Sequence, residues 1–128
     1  MNLLRSIVVL TLMLFPLVGN AAELTKDSLA TVEKSIAAEK AVLVDVRERS
    51  EWDKGHVKGA MLIPLSLLQE DAATTAKRLP KDKIIYAHCV SGRRCVTAAN
   101  ILEKLGYEVR PIKPGYKELV EAGFESTK

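Results

Sequence analysis

The chain is short and nearly balanced in charge. It has 128 residues, with 19 basic and 16 acidic side chains and a formal net charge of +3. That length allows one small domain, and so mild a charge argues against a nucleic-acid or anionic-lipid partner. Two cysteines and two histidines, without the spacing of metal ligands, argue against a zinc site.

The N-terminal residues have the pattern of a secretory signal peptide. Arg5 supplies a positive charge, and a largely apolar run follows over 7–18. Small residues come next, so we expect cleavage after Ala21 and one mature domain over 22–128. An uncleaved anchor is the competing interpretation, but the run is shorter than the about 20 residues that cross a bilayer. We therefore expect a periplasmic or secreted protein, free of the membrane after cleavage and in an oxidising compartment.

The remaining chain alternates helical and extended patterns. The predicted elements, in chain order, are a helix over 25–38, a strand over 41–46, a short helix capped by Ser50 and ended by Gly55, a strand over 60–64, a helix over 65–79, a strand over 83–88, a helix over 95–105, a strand over 107–112 and a helix over 116–122. Pro111 places the last strand at an edge or close to its own end. We expect the tail over 124–128 to fray. The alternation predicts an α/β fold, a small parallel β-sheet with helices on both faces.

The segment "CVSGRRC" connects the third predicted strand to a helix. In parallel sheets, ligands bind beyond the carboxyl ends of the strands, which is where Cys89 lies. Gly92 permits a positive φ that turns successive amides inward, and the helix N-terminus adds a positive dipole end. Arg93 and Arg94 add positive charge. Such surroundings favour a thiolate, which makes Cys89 the candidate nucleophile.

This loop and a segment upstream of it resemble the rhodanese-like sulfurtransferase family. The loop "CVSGRR" is similar to the family's Cys-x-x-Gly-x-Arg active-site loop. Upstream, "VDVRERSEWDKGHVKGAMLIPL" is similar to its Asp-Val-Arg, Glu-aromatic, Gly-His-x-x-Gly-Ala and Ile-Pro motifs. The two segments have the family's order and separation, and the resemblance covers residues 42–107. The signal peptide and single domain resemble the small periplasmic members, which implies one rhodanese-like domain over 22–128.

The resemblance implies a thiosulfate-type sulfurtransferase. An anionic donor would place a sulfane sulfur on Cys89 as a persulfide, and a thiophilic acceptor such as cyanide or a thiol would remove it. The residues expected to bind the substrate are Val90, Ser91, Gly92, Arg93, Arg94 and Cys95. Those expected to support the loop are Asp45, Arg47 and His56, with Trp52 packed in the core. No metal or organic cofactor is implied, and we expect a monomer.

Some positions depart from the family pattern. Val90 stands where the family often has a polar side chain, and Pro114 replaces the first of two glycines. Arg93 is either an anion ligand or a solvated surface residue. Cys95 stands where serine, threonine or alanine is usual. It is a small helix residue without chemistry, a resolving thiol that forms a disulfide with Cys89, or an acceptor of its sulfur. A disulfide requires Cα atoms within about 7 Å.

Other classes of function compete with sulfur transfer. Phosphatases and arsenate reductases use a Cys-x5-Arg cradle, but here Arg94 comes one position too early for that spacing. A non-catalytic binding or redox-sensing module that uses Cys89 and Cys95 is the main alternative, because a fold can lose its activity and remain a platform. A thiol–disulfide oxidoreductase is a further alternative, although the spacing is not Cys-x-x-Cys.

Overall fold

The computed structural model describes residues 20–128. The predicted signal peptide therefore lies outside the described residues, apart from Asn20 and Ala21. The helices are α1 (Leu29–Ala37), α2 (Arg49–Lys54), α3 (Leu65–Glu70), α4 (Ala72–Thr75), α5 (Arg93–Lys104) and α6 (Tyr116–Glu121), with a 3-10 turn over Ala76–Arg78. The strands are β1 (Ala41–Asp45), β2 (His56–Val57), β3 (Met61–Leu62), β4 (Ile84–His88), β5 (Glu108–Pro111) and β6 (Ser126–Thr127). Within residues 20–128, no helix has the length and apolarity needed to cross a bilayer.

A parallel sheet of four strands in the order β3-β1-β4-β5 forms the centre of the domain. β1 and β4 pair along five residues, from Ala41 opposite Ile84 to Asp45 opposite His88. β5 lies at one edge, as the proline in its sequence predicts. Because parallel neighbours need crossover connections, helices alternate with the strands along the chain. The predicted α/β fold is confirmed.

Helices cover both faces of the sheet, as predicted. On one face, α3 and α5 pack on the sheet around Val44, Ile85 and Leu102. On the other face, α1 and α6 enclose a second apolar cluster that includes Tyr86 and Leu119. β4 is therefore buried on both sides, which fixes the position of the residue that follows it.

The first helix begins later than predicted, at Leu29 rather than at Thr25. The hydroxyl of Ser28 accepts a hydrogen bond from the Thr31 amide at 3.1 Å and caps the helix there. Residues 20–28 form no helix and contact α5 and the end of β5 instead. The Ala22 amide donates to Asn100 Oδ1 at 2.7 Å, and the Thr25 amide donates to the Pro111 carbonyl at 2.7 Å.

Two predictions about the middle of the chain are wrong. Ser50 lies inside α2, which begins at Arg49, and no side chain caps that helix. The single helix predicted over 65–79 is broken at Asp71. There the Asp71 carboxylate accepts from the Thr74 amide at 3.2 Å and starts a new short helix.

The C-terminal tail is also ordered rather than frayed. Residues Ser126 and Thr127 form β6, which pairs antiparallel with His56 and Val57 of β2. The Lys58 amide also donates to the Glu125 carbonyl at 2.8 Å. Each of these strands has two residues and no apolar run, so the sequence offers no local pattern that predicts them.

Candidate active site

The loop after β4 has the position and the turn that the sequence predicts. Cys89 directly follows the last residue of β4, and Gly92 has a φ of 88°. Only glycine adopts that conformation without strain. α5 then begins at Arg93, two residues before the predicted start at Cys95, because the turn is complete at Gly92. The Gly92 amide donates to Cys89 Sγ at 3.2 Å.

The surroundings of Cys89 favour its thiolate form. A hydrogen bond from the Cys95 side chain lowers its pKa to about 4, and the amides of Cys95, Gly92 and Ser91 also lower it. Burial acts in the opposite direction, and the side chain is only 1% exposed. These amides belong to the turn and the first residues of α5, where backbone N–H groups lack partners within the helix. Backbone amides of the loop therefore face the sulfur, and binding of an anion by this loop stays a prediction.

Cys95 is fully buried and faces the same loop. Its Sγ lies 3.2 Å from the Gly92 carbonyl oxygen and 3.5 Å from that of Ile112. The hydrogen bond with Cys89 and then burial raise the pKa of the Cys95 thiol, so it keeps its proton. Both cysteines are free, with no disulfide between them in this structure.

The other loop residues predicted to bind substrate differ in exposure. Arg94 makes two contacts with the Glu51 carboxylate, from Nη1 to Oε2 at 3.0 Å and from Nη2 to Oε1 at 3.2 Å. It therefore ties the start of α5 to α2. Ser91 and Arg93 are exposed, and Val90 is 57% exposed at the loop surface. The rim around Cys89 combines one apolar side chain with positive charge.

Asp45 and Arg47 form a buried ion pair at the end of β1. Arg47 Nη2 lies 2.8 Å from Asp45 Oδ2 and donates to the Gly55 carbonyl at 2.8 Å. Its guanidinium also lies over the Tyr116 ring, 4.6 Å from the centroid. The Tyr116 amide in turn donates to the Cys89 carbonyl at 3.2 Å. The pair thus contacts the residue that holds the Cys89 backbone, consistent with the supporting role predicted for it.

His56 lies just after α2, in β2. Within residues 20–128, its side chain makes no hydrogen bond to the loop over 89–95. Its Nδ1 is 3.0 Å from the Trp52 carbonyl, and its ring stacks on the Trp52 indole with centroids 3.5 Å apart. Trp52 is half-buried and not part of the core, contrary to the prediction. This stack packs the α2–β2 connection.

A second loop, between β5 and α6, closes against the first. A Cβ on Gly115 would overlap the carbonyl of Val90 and lie 2.9 Å from that of Cys89. Position 115 therefore requires glycine, which the sequence retains. Beside this contact, a shallow cavity opens at the surface, lined by Val90, Ser91, Lys113, Pro114 and Glu118. Two of these residues, Val90 and Ser91, belong to the loop that follows Cys89.

The sequence does not predict the unpaired, buried side chain of His88. It is fully buried, and neither ring nitrogen has a hydrogen-bond partner within residues 20–128. Nε2 lies 3.7 Å from Asp45 Oδ2. Burial lowers the pKa of His88, so the ring is neutral near neutral pH. The sequence feature that points to a buried His88 is its position at the end of an apolar strand, directly before the candidate nucleophile.

Among the described residues, no group of three or more His, Cys, Asp or Glu side chains is arranged to hold a metal ion. The reactive group that the site presents is the sulfur of Cys89, surrounded by hydrogen-bond donors. Such a site can attack an electrophilic sulfur and stabilise the resulting charge.

Comparison with known proteins agrees with this geometry. The family model described as "Rhodanese-like domain" matches residues 28–122, and the chain belongs to that family. YqhL of Bacillus subtilis is 39% identical over 80 residues, which are 62% of this chain and 60% of that protein. The chain spans about half to three fifths of the length of the first curated relatives that it matches.

Two solved structures are also similar over most of this chain. The human single-domain sulfurtransferase TSTD1 has a TM-score of 0.63 and 28% identity, covering 80% of this chain and 97% of that one. A rhodanese-related protein from Thermoplasma volcanium has a TM-score of 0.63 and 28% identity, covering 77% and 92%. TSTD1 is thus a single-domain sulfurtransferase whose length is similar to that of the described part of this chain.

Proposed function

We propose that this protein is a thiosulfate-type sulfurtransferase that uses Cys89 as its nucleophile. The observation that carries the proposal is a buried sulfur at the end of the central strand β4 that accepts a hydrogen bond from the Gly92 amide at 3.2 Å. Its surroundings lower the pKa of Cys89 to about 4, which agrees with that geometry. Membership of the rhodanese-like family supports the same reaction class. We further propose that the protein acts after export, as a monomer over residues 22–128.

The first half-reaction loads the sulfur. The Cys89 thiolate attacks the outer sulfur of thiosulfate, an S–S bond forms to Sγ, and the S–S bond within thiosulfate breaks. Its electron pair leaves with sulfite, and the negative charge of the enzyme passes to the outer sulfur of the persulfide. The amides of Ser91 and Gly92 stabilise this charge, and the exposed Arg93 attracts the dianionic donor.

The second half-reaction unloads the sulfur. Cyanide or a thiolate attacks the outer sulfur of the persulfide, and the Cys89 thiolate leaves with the electron pair. The products are thiocyanate or a second persulfide. Because Cys89 is a stabilised thiolate, it is also a good leaving group, so the same amides assist both steps. Charge and electrons balance in both steps, so neither step needs an external oxidant or reductant.

The test is a comparison of the wild type with Cys89→Ser. Thiosulfate-dependent formation of thiocyanate should fall to the uncatalysed level in the variant, because a hydroxyl is not ionised at neutral pH. The mass of the intact wild type should increase by one sulfur after thiosulfate, and cyanide should restore the original mass. A Cys89→Ser variant that still turns over would overturn the proposal, as would a wild type that never gains sulfur.

A further inference from the structure

The glycine that turns the loop after β4 is covered by a residue from the first segment of the domain. A Cβ on Gly92 would lie 3.2 Å from Leu24 Cδ2 and 3.6 Å from the Lys113 Cα. These two residues therefore cover the face of Gly92 on which a side chain would stand. The amide of the same glycine donates to Cys89 Sγ at 3.2 Å. Leu24 is thus linked to the sulfur through a single residue.

The backbone on either side of Leu24 is fixed by long-range hydrogen bonds. Before it, the Ala22 amide donates to Asn100 Oδ1 on α5 at 2.7 Å. After it, the Thr25 amide donates to the carbonyl of Pro111, the last residue of β5, at 2.7 Å. The side chain of Leu24 is therefore held over the loop, although it is 37% exposed.

Asp27 ties the same segment to the strand that presents the nucleophile. Its Oδ2 accepts from the Tyr86 hydroxyl at 2.7 Å and from Arg110 Nη1 at 2.9 Å. Tyr86 is a buried residue of β4, the strand that ends just before Cys89. The strands that place the sulfur thus also fix the place of Leu24.

Glycine depends on its neighbours for a fixed conformation more than other residues do. It has the widest range of backbone conformations and loses the most freedom on folding. Gly92 has a φ of 88° and offers no side chain by which the rest of the domain could hold it. Because a hydrogen bond weakens steeply as its angle closes, a small rotation of this peptide would weaken the contact with Cys89. Packing on Gly92 opposes that rotation.

We propose that Leu24 is a positioning residue for the sulfur transfer inferred above, and that it holds the Gly92 amide towards the Cys89 sulfur by packing on Gly92. The inference rests on the proposed function for its importance to catalysis. Leu24 acts on the sulfur through Gly92 and takes no part in the bonds that form and break.

The experiment compares Leu24→Ala, which removes the contact, with Leu24→Met, which keeps an apolar side chain of similar volume. The control is Leu67→Ala on α3. Leu67 is comparably exposed, at 47%, and lines a cavity to which no residue over 89–95 contributes. Its truncation removes the same atoms from a site outside the loop.

The ionisation of Cys89 is followed without any sulfur donor, by the ultraviolet absorbance of the thiolate and by the rate of alkylation with iodoacetamide, with Cys89→Ser as the baseline. In Leu24→Ala the pKa of Cys89 should rise by about half a unit to one unit, part of the effect of losing a hydrogen bond to a charged group. Leu24→Met and Leu67→Ala should each stay within about 0.3 unit of the wild type. The acidic limb of the kcat/KM profile should move with the titration in Leu24→Ala, and activity should recover at higher pH.

The direction of the shift separates positioning from shielding. Burial raises the pKa of Cys89, so a leucine that only excluded water would give a lower pKa in Leu24→Ala, and that result overturns the inference. An unchanged titration with a lower melting temperature overturns it too, because Leu24 would then only pack. So does an equal rise in Leu67→Ala or in Leu24→Met. The titration needs no sulfur transfer, so its failure is distinct from failure of the proposed function, which is judged from the mass gained after thiosulfate.

Discussion

Cys89 links the chemistry of the site to the stability of the domain. Its pKa is lowered to about 4 in the folded protein, against about 8.5 for a free thiol. Between these values the native state holds fewer protons than the unfolded state, so stability rises with pH. The contribution is complete above the unfolded pKa and is lost as the pH falls through the folded one.

We predict that the wild type gains stability relative to Cys89→Ser as the pH rises from about 5 to about 7, by up to about 1.4 kcal/mol per unit. Serine does not ionise in this range, so other titrating groups cancel in the difference. Urea unfolding of both proteins at each pH measures it. Parallel pH profiles for the two proteins would show that Cys89 is not a thiolate in the folded state.

For single residues, the sequence predicts those features of the site that depend on neighbouring residues along the chain. The loop spacing identifies Cys89, and the glycine at 92 predicts the turn. The direction of the Cys95 side chain is not predictable in the same way, because its acceptors include the Ile112 carbonyl, 17 positions away. The burial of His88 likewise depends on neighbours from distant parts of the chain.

Among the elements, the two loops that meet at the site are the most sensitive to added volume. Gly115, between β5 and α6, leaves no space for a Cβ against the carbonyls of Val90 and Cys89. We predict that Gly115→Ala loses about 1–3 kcal/mol from overpacking and raises the pKa of Cys89, because the loop amides must shift. Thermal unfolding and the thiolate titration measure the two effects.

The matched control is Gly123→Ala. Gly123 has a φ of 107° but open space around it, so alanine there adds only backbone strain, about 1–2 kcal/mol. Its titration of Cys89 should match that of the wild type. If both variants leave the thiolate unchanged, the contact between the loops does not position the sulfur.

The elements also differ in how far the sequence predicts them. β1 and β4 are continuous apolar runs and were predicted within one residue of their observed ends. β2 and β6 are created by pairing between His56 and Thr127, which lie far apart along the chain. The helix breaks at Asp71 because the Asp71 side chain caps a new helix there instead of continuing the first one. The spacing of apolar residues does not predict this break.

At the scale of the whole molecule, the segment after the proposed cleavage site is part of the domain. The Ala22 amide donates to Asn100 on α5, and Ala22 packs against the core. We predict that the exported protein begins at Ala22, as measured by the mass of the intact protein from the periplasm. Ala21→Leu, with a bulky residue before the cleaved bond, should remain uncut. A wild-type mass that includes Met1 would contradict the prediction.

The order of the strands also determines when the domain can form. β1 pairs with β4 at the centre of the sheet, yet residues 46–83 separate the two strands along the chain. During synthesis, the central pair cannot close until His88 has emerged, and β5 comes later still. Contacts of such long range form slowly. The central pair of the sheet therefore cannot form before the chain reaches His88, and the contact of Tyr116 with the Cys89 carbonyl waits for the residues after β5.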